Sequence, residues 1–423
     1  MLIEFSVENF RSFRTRQTFS MVAAPRLHRR ANTVPAEVDG ENFPRLLTVA
    51  AIYGPNASGK SSLVRALSVA TRLTHRVAAP DAAKLPVAPF RFDPDLHQEP
   101  SKFEWHFIAQ KTRYSFELSS TAERIHLERL IKYTKGRPDL LYERTLQGDR
   151  DKYEFGATFE ASPELRDAWS KLTGGRMLFI AQAVANSSED LKQLRIPFTW
   201  LSELSIVEGS FRGAVEVSER LMAEFPSFRT DVATLLSDID IPIAEISVEL
   251  PPDAPALKEI FSDEGMDQKK VRAAFSANRA KTTLVHRTAL GDASFELDEE
   301  SGGTKNLIGF ALPWLTLNGD GKVRRSGLIV DEMDSSLHPK AVEALVRRHI
   351  VSDTRAQLIF TTHDTHLMDT KLLRRDQIWI TERAADGSTQ LRSIHEFQGR
   401  DSEDVEKRYY EGRYRGLPIL RST

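Results

Sequence analysis

Gly54-Pro55-Asn56-Ala57-Ser58-Gly59-Lys60-Ser61-Ser62 follows an apolar run over residues 47–53 and precedes an apolar-periodic stretch that starts at Ser61. The run is short enough for a buried strand and the stretch after it has helical spacing, so the glycine-rich segment is expected to be a strand-to-helix loop. In that setting the pattern G-x-x-x-x-G-K-[ST] predicts a phosphate cradle. Its glycines let backbone N–H groups close around the β- and γ-phosphates of a nucleotide, at the positive end of a helix. Lys60 would neutralise phosphate charge and Ser61 would ligate magnesium. Far along the chain, Leu328-Ile329-Val330 runs into Asp331-Glu332. A hydrophobic strand ending in two acids supplies the complementary parts. Asp331 would hold the metal through water, and Glu332, pointing elsewhere, would polarise the attacking water. An Asp-Glu pair alone would read as a solvated turn; the apolar strand before it and Asp334-Ser335-Ser336-Leu337-His338-Pro339 after it argue against that. The next apolar run, residues 357–361, delivers Thr362 and His363. A histidine at a strand's carboxyl end can hydrogen-bond a γ-phosphate, with His366 competing for the same part.

A chain of 423 residues with 40 % hydrophobic content fills two or three lobes rather than one core. Its 58 Lys and Arg against 60 Asp and Glu leave a formal charge of −2, so no global basic field announces nucleic acid. Clusters at Arg26-Leu27-His28-Arg29-Arg30, Arg324-Arg325, Arg347-Arg348 and Arg374-Arg375 keep contact with DNA or RNA open, although each reads more simply as a solvated face. The absence of cysteine excludes a disulfide framework, thiol catalysis and thiolate metal sites, and fits a cytoplasmic protein. The N-terminal residues mix acids with apolar side chains and do not resemble a signal peptide. No apolar stretch approaches the roughly 18 residues needed to span a bilayer.

Leu2, Ile3, Phe5 and Val7 predict a first strand, which ends in the turn Asn9-Phe10-Arg11-Ser12-Phe13. Phe103, Trp105 and Phe107, then Tyr114, Phe116 and Leu118, then Ile125 and Leu127 alternate with period two and predict an antiparallel meander. A helix over 163–172 leads to Gly174-Gly175 and a buried strand over 177–181, closed by Gln182. Residues 186–292 change character: proline-bounded helices around 211–225 and 231–239, then Pro251-Pro252 and a charged segment through Lys270. They predict an inserted, mainly helical lobe between an N-terminal half, 1–185, and a C-terminal half, 293–423. Strand and helix alternation over 328–330, 340–350, 358–361 and 378–381 predicts a mostly parallel sheet. Glu300-Ser301-Gly302-Gly303-Thr304-Lys305 precedes Leu307, Phe310, Ala311 and Trp314. A Ser-Gly-Gly turn at a helix N-terminus is a second anion site, and Pro313 should kink or end its helix.

Together these motifs resemble the α/β heads of ABC-type ATPases, in the soluble branch that includes RecF, the SMC heads and the overcoming-lysogenization-defect ATPases. The resemblance implies ATP and Mg²⁺ as cofactors and a head-to-tail homodimer or higher oligomer, in which Ser301, Gly302 and Gly303 of one subunit cap the ATP of another. It implies that Lys60 and Ser61 bind phosphate and metal, Asp331 supports the metal, Glu332 is the catalytic base and His363 the switch histidine. Asp334 begins a loop that communicates across the dimer, Arg11 and Ser12 belong to an N-terminal signature, and Gln182 is the candidate metal-sensing glutamine. The chain departs from the usual signature at Glu300 and at Thr304-Lys305, where leucine and glutamine are usual; Glu300 sets a negative charge beside a triphosphate site. More narrowly, the opening residues, the phosphate loop, Ser301-Gly302-Gly303-Thr304-Lys305, the segment after Asp331 and Tyr409-Tyr410-Glu411-Gly412-Arg413-Tyr414-Arg415-Gly416-Leu417-Pro418 look like the RloA or AbiLi type of bacterial ATPase. That likeness implies anti-phage defence beside a separate RloB-like effector with a Toprim-type nuclease fold. The alternative is a RecF- or SMC-like head that clamps DNA.

Overall fold

The computed structural model describes residues 1–76, 84–189, 191–209, 212–239, 241–257, 259, 278–318, 325–335, 337–352, 354–399 and 403–417. Lys270, Arg324, Ser336 and Pro418 lie outside them. Two units emerge, one of Met1–Ile206, Arg325–Asp331 and Asp353–Thr423, the other of Val207–Arg324 and Glu332–Ser352.

In the first unit, period-two patterning builds an antiparallel sheet. Its first strands are β1 (Leu2–Glu8) and β2 (Gln17–Ser20). A two-residue ladder, β3 (Thr33–Val34) with β4 (Leu46–Leu47), then leads to β5 (Val49–Tyr53) and α1 (Lys60–Thr74). The meander follows as β6 (Ser101–Ala109), β7 (Thr112–Ser120), β8 (Ile125–Thr134), β9 (Arg137–Gln147) and β10 (Arg150–Phe155). The spatial order is β10-β9-β8-β7-β6-β1-β2. Phe5, Phe103, Trp105 and Phe116 share its inner face, with ring centroids 5.1–5.9 Å apart along the chain of contacts.

Helix α2 (Pro163–Leu172) begins where Ser162 caps it, the hydroxyl accepting from the Leu165 amide at 3.3 Å, with Pro163 in the first turn. The strand expected over 177–181 is instead a helix, α3 (Phe179–Ala185), so Gln182 lies inside a helix and closes no strand. The five-residue apolar run over 177–181 carries no decisive period. The deciding group comes from β8. Glu128, fully buried, accepts from the Phe179 and Ile180 amides at 2.7 and 3.0 Å and from the Tyr142 hydroxyl at 2.7 Å. It thus satisfies amides that the first turn of a helix leaves without partners. Burial pushes the Glu128 carboxyl up from the ordinary carboxylate value, against the opposing pull of Arg144. Arg144 lies 3.8 Å away and itself donates to the Met177 and Gly174 carbonyls at 2.7 and 3.0 Å. α4 (Lys192–Ser202) then leads to the short β11 (Ser205–Val207).

The second unit holds α5 (Arg212–Glu224), α6 (Pro226–Asp238) and an antiparallel sheet of β12 (Ile243–Glu249), β13 (Lys281–Thr288) and β14 (Gly291–Glu296). This sheet joins the expected helices of the inserted lobe. Every residue of β14 is exposed, which leaves no apolar alternation to read. α7 (Gly302–Asn318) is buried along Leu307, Ile308, Phe310, Ala311 and Trp314. It does not end at Pro313. It runs five residues further, and the Thr316 hydroxyl donates to the Leu312 and Pro313 carbonyls, both at 3.0 Å. α8 (Pro339–Val351) starts at His338, whose Nδ1 accepts from the Lys340 amide at 3.2 Å.

The last third of the chain returns to the first unit with β15 (Gly327–Val330), β16 (Gln357–Thr361), β17 (Ile378–Arg383) and β18 (Thr389–Ser393). The second sheet has the order β11-β15-β16-β5-β17-β18. Its core pairs, β15 with β16, β16 with β5 and β5 with β17, are parallel, and β18 closes the edge antiparallel to β17. All five residues of β5 are buried, as expected of a parallel strand covered on both faces. Placing β16 between β5 and β15 brings three carboxyl ends to one edge, where open parallel sheets bind ligands.

Candidate functional site

The chain leaves β5 at Gly54 with φ +147° and enters α1 through Gly59 with φ +108°; between them Ala57 takes φ +61°. Neither glycine could carry a side chain. A Cβ at Gly54 would lie 2.3 Å from Thr381 Oγ1 and 2.6 Å from Ser58 Oγ, and one at Gly59 would lie 2.1 Å from Thr389 Oγ1. Pro55 and Asn56 complete the bend, and the Ser58 amide returns to the Pro55 carbonyl at 3.2 Å. Lys60, 7 % exposed, turns its ammonium onto the Gly54 and Pro55 carbonyls at 2.8 and 3.2 Å. Its charge is thereby held over the loop. Ser61 and Ser62 occupy the first turn of α1, half-buried.

Three hydroxyl groups outside the motif hold this loop from behind. Thr381 Oγ1 on β17 lies 2.5 Å from Ser58 Oγ and donates to the Tyr53 carbonyl at 3.0 Å. Thr389 Oγ1 on β18 lies 2.8 Å from both the Ser58 carbonyl and Ser12 Oγ, and the Thr389 amide donates to the Ser12 carbonyl at 2.7 Å. Ser12 thus stands behind Gly59. Arg11, its neighbour, has an exposed side chain, φ +53°, and an amide bonded to the Ala88 carbonyl at 2.8 Å. Nothing in the sequence marks Thr381 or Thr389, because a β-branched residue in a strand needs no functional reason. Thr389→Val keeps the shape and removes the hydroxyl. It is expected to weaken nucleotide binding by roughly tenfold, the worth of about one lost buried hydrogen bond, with Thr389→Ser near wild type. Titration with a fluorescent ATP analogue checks this, and equal affinities for the valine variant and wild type would remove the buttress from the account.

At the same sheet edge, Asp331 follows β15 and is 7 % exposed; its Oδ1 accepts from the Thr361 hydroxyl of β16 at 2.7 Å. That bond orients the carboxylate. β16 continues into Thr362, whose amide reaches the Ile52 carbonyl of β5 at 3.1 Å, and then into the exposed His363. His366 has its Nδ1 3.0 Å from Asp364 Oδ1. Gln182, in α3, is half-buried, and its main-chain carbonyl accepts from the Asn186 side chain at 2.9 Å. Glu332, the first residue of the second unit's later segment, is exposed and has φ +57°. Left-handed backbone at a residue that is neither Gly, Asn nor Asp is uncommon and clusters at functional positions. Its carbonyl accepts from the Ser335 amide at 2.9 Å, and that of Asp334 from the Leu337 amide at 3.2 Å, forming the bend into α8.

Within the second unit, Ser301 caps α7: its hydroxyl accepts from the Thr304 amide at 3.1 Å. Ser301 and Gly302 are exposed, and a Cβ on Gly302 would meet nothing within 4 Å. The turn is therefore open to solvent at Ser301 and Gly302. Lys305 Nζ folds back to the Asp298 carbonyl at 2.8 Å, and Asn306 Nδ2 donates to the Ser335 carbonyl at 3.3 Å. The basic clusters divide by fate. Arg374 and Arg375 are 6 % and 3 % exposed, not solvated. Arg374 pairs with Asp376 at 2.6 Å and donates to the Ala24, Leu27 and His28 carbonyls, and Arg375 donates to those of Ile394 and Phe397. Arg347 and Arg348 pair with Glu343 and Asp238, whereas Arg26, Arg29 and Arg30 stay exposed.

A glycine cradle closed to any Cβ, a buried lysine at a helix start and a buried, oriented aspartate suit the phosphates and magnesium of a nucleotide. Among the described residues no helix is long and apolar enough to cross a membrane. The chain is similar to the SMC head domain from Thermotoga maritima, at 14 % identity and a TM-score of 0.43 over 93 % of this chain and 98 % of that one. It is also similar to the Pyrococcus furiosus Smc head domain with an extended coiled coil bound to the C-terminal domain of ScpA, at 12 % identity and a TM-score of 0.41 over 93 % and 97 % of the two chains. No curated protein matches it. Residues 49–369 match the family described as "AAA domain, putative AbiEii toxin, Type IV TA system". That span opens on the first residue of β5 and closes past His363, and the chain accordingly belongs to this family of AAA-type ATPase domains.

Proposed function

We propose that the protein is an ABC-type ATPase subunit of the RloA or AbiLi kind, which dimerises head to tail on ATP and uses hydrolysis to regulate a partner effector in anti-phage defence. The observation that carries the ATPase part is the shared sheet edge, where the Gly54–Gly59 cradle, Asp331 bonded to Thr361, and His363 end three neighbouring parallel strands. In this reading Lys60 and the loop amides hold the phosphates, Ser61 and Asp331 hold magnesium, Gln182 senses it, and Arg11 and Ser12 flank the nucleotide. Magnesium, when bound, offsets charge on the β- and γ-phosphates. Glu332 accepts the proton of the attacking water, and His363 hydrogen-bonds the γ-phosphate side. The outward Ser301-Gly302-Gly303 turn caps the ATP of a second subunit, and Asp334 faces the same dimer contact. The matched family is described as "putative AbiEii toxin, Type IV TA system", which is the support for a defence role; the cytoplasm is the compartment this reading assigns.

The dimer is tested with Ser301→Arg, which fills the turn with a bulky side chain. ATP-driven dimerisation should weaken by on the order of 100-fold while the monomer's ATP affinity stays unchanged, because in this reading the turn touches only the ATP of the other subunit. Equal dimerisation of variant and wild type, measured by mass photometry with and without ATP, would refute the trans turn. The effector is tested by capture from the native host in the presence of ATP. A co-purifying RloB-like, Toprim-fold protein supports the defence complex. Retained chromosomal DNA without a protein partner would instead favour a RecF- or SMC-like clamp.

A further inference from the structure

Glu300 stands immediately before the Ser301 turn, yet its carboxylate is turned inward: the side chain is 7 % exposed and Oε1 lies 2.6 Å from His286 Nε2 on β13. His286 is itself held. It sits in register between Ile243 of β12 and Ala293 of β14, 20 % exposed, with the Phe295 ring edge-on at 5.2 Å. The Glu300 main chain is fixed too, its amide donating to the Leu297 carbonyl at 3.1 Å. A carboxylate this buried needs a donor, and here one imidazole provides it.

We infer that His286 is a positioning residue that keeps the Glu300 carboxylate off the face of the signature turn, so that the turn can receive the triphosphate of a second subunit. The inference rests on the trans reading of Ser301-Gly302-Gly303 given above. Without the imidazole, an almost buried carboxylate has no such donor and gains by rotating toward water. The residue that follows it, Ser301, is exposed, so that rotation carries a negative charge to the surface meant for phosphate. Like charges across a contact weaken it steeply. The three-stranded sheet then has a definite use: it carries the histidine that makes an acidic residue tolerable next to the turn.

The test compares His286→Ala, Glu300→Leu and the double variant, each in the full chain carrying Glu332→Gln to prevent turnover. Dimerisation is followed by sedimentation velocity with ATP, and monomer affinity by titration with a fluorescent ATP analogue. His286→Ala is expected to weaken ATP-driven dimerisation by roughly tenfold or more with monomer affinity unchanged. Glu300→Leu should dimerise at least as well as the parent, and the double variant should recover to within about threefold of Glu300→Leu. Recovery on removing the carboxylate separates positioning from simple support of the sheet, which a second substitution could not restore. Parent-like dimerisation of His286→Ala, or a double variant as weak as His286→Ala, would overturn the inference. A parent that binds ATP but forms no dimer would overturn the trans reading beneath it.

Discussion

Replacing Glu332 with glutamine is expected to lower ATP turnover by at least 100-fold while ATP affinity stays within about threefold of wild type and the ATP-bound dimer accumulates. The amide keeps the size and backbone preferences of the glutamate but cannot take a proton from water. The phosphate contacts assigned to Gly54–Gly59, Lys60 and Ser61 are untouched. The backbone offers an internal control. Glu332 holds φ +57°, a conformation glycine adopts without strain. Glu332→Gly should therefore fold with stability equal to wild type or up to about 1 kcal/mol greater, and still fail to turn over ATP. Steady-state phosphate release, with thermal unfolding alongside, distinguishes the cases. A glutamine variant that releases phosphate at the wild-type rate would assign the base elsewhere, and a glycine variant that loses stability would remove the argument from strain.

The phosphate loop and the strands around it were legible because parallel strands buried on both faces leave continuous apolar runs, and because the tight turns need glycine at Gly54 and Gly59. The helix expected over 163–172 forms as Pro163–Leu172, with Pro163 in its first turn. Legibility failed wherever the decisive group came from elsewhere in the chain. Phe179–Ala185 is helical with Glu128 of β8 receiving its first amides, and no local pattern could show that. β14 turns every residue to solvent, so its place in a sheet rests on pairing with β13. Pro313 has a helical register that packing of Phe310 and Trp314 maintains through it, tertiary burial outweighing a local penalty. Arg374 and Arg375 looked like a surface patch by composition alone, but beside the Asp376 carboxylate Arg374 donates to carbonyls of residues 24–28, and Arg375 to that of Phe397. Of the three hydroxyls behind the phosphate loop only Ser12 fell within a motif; Thr381 and Thr389 lie in strand positions where threonine is ordinary.

Those hydroxyls make Gly59→Ala the more informative of the two glycine substitutions. The added methyl would sit 2.1 Å from Thr389 Oγ1 and 2.8 Å from both Thr389 Cγ2 and Ser12 Oγ, at a backbone φ of +108°. Two penalties of different origin thus coincide: overlap with side chains, and a conformation that side-chain-bearing residues rarely hold, each on the order of 1–3 kcal/mol. Relieving the overlap turns Thr389 aside or moves the loop away from β18; either breaks the Thr389 bond to the Ser58 carbonyl, and the second also shifts the loop amides. ATP affinity is expected to fall by at least 100-fold, with melting lowered by several degrees. Removing the obstructing side chains separates the two causes. Gly59→Ala with Thr389→Ala and Ser12→Gly clears all three contacts yet leaves the backbone strained, so it should recover stability in part while binding stays well below that of Thr389→Ala with Ser12→Gly alone. Binding restored to the level of Thr389→Ala with Ser12→Gly would mean that side-chain overlap alone requires the glycine. Wild-type binding by Gly59→Ala itself would mean that the loop adapts freely, and that the hydroxyls behind it do not set the geometry of the phosphate cradle.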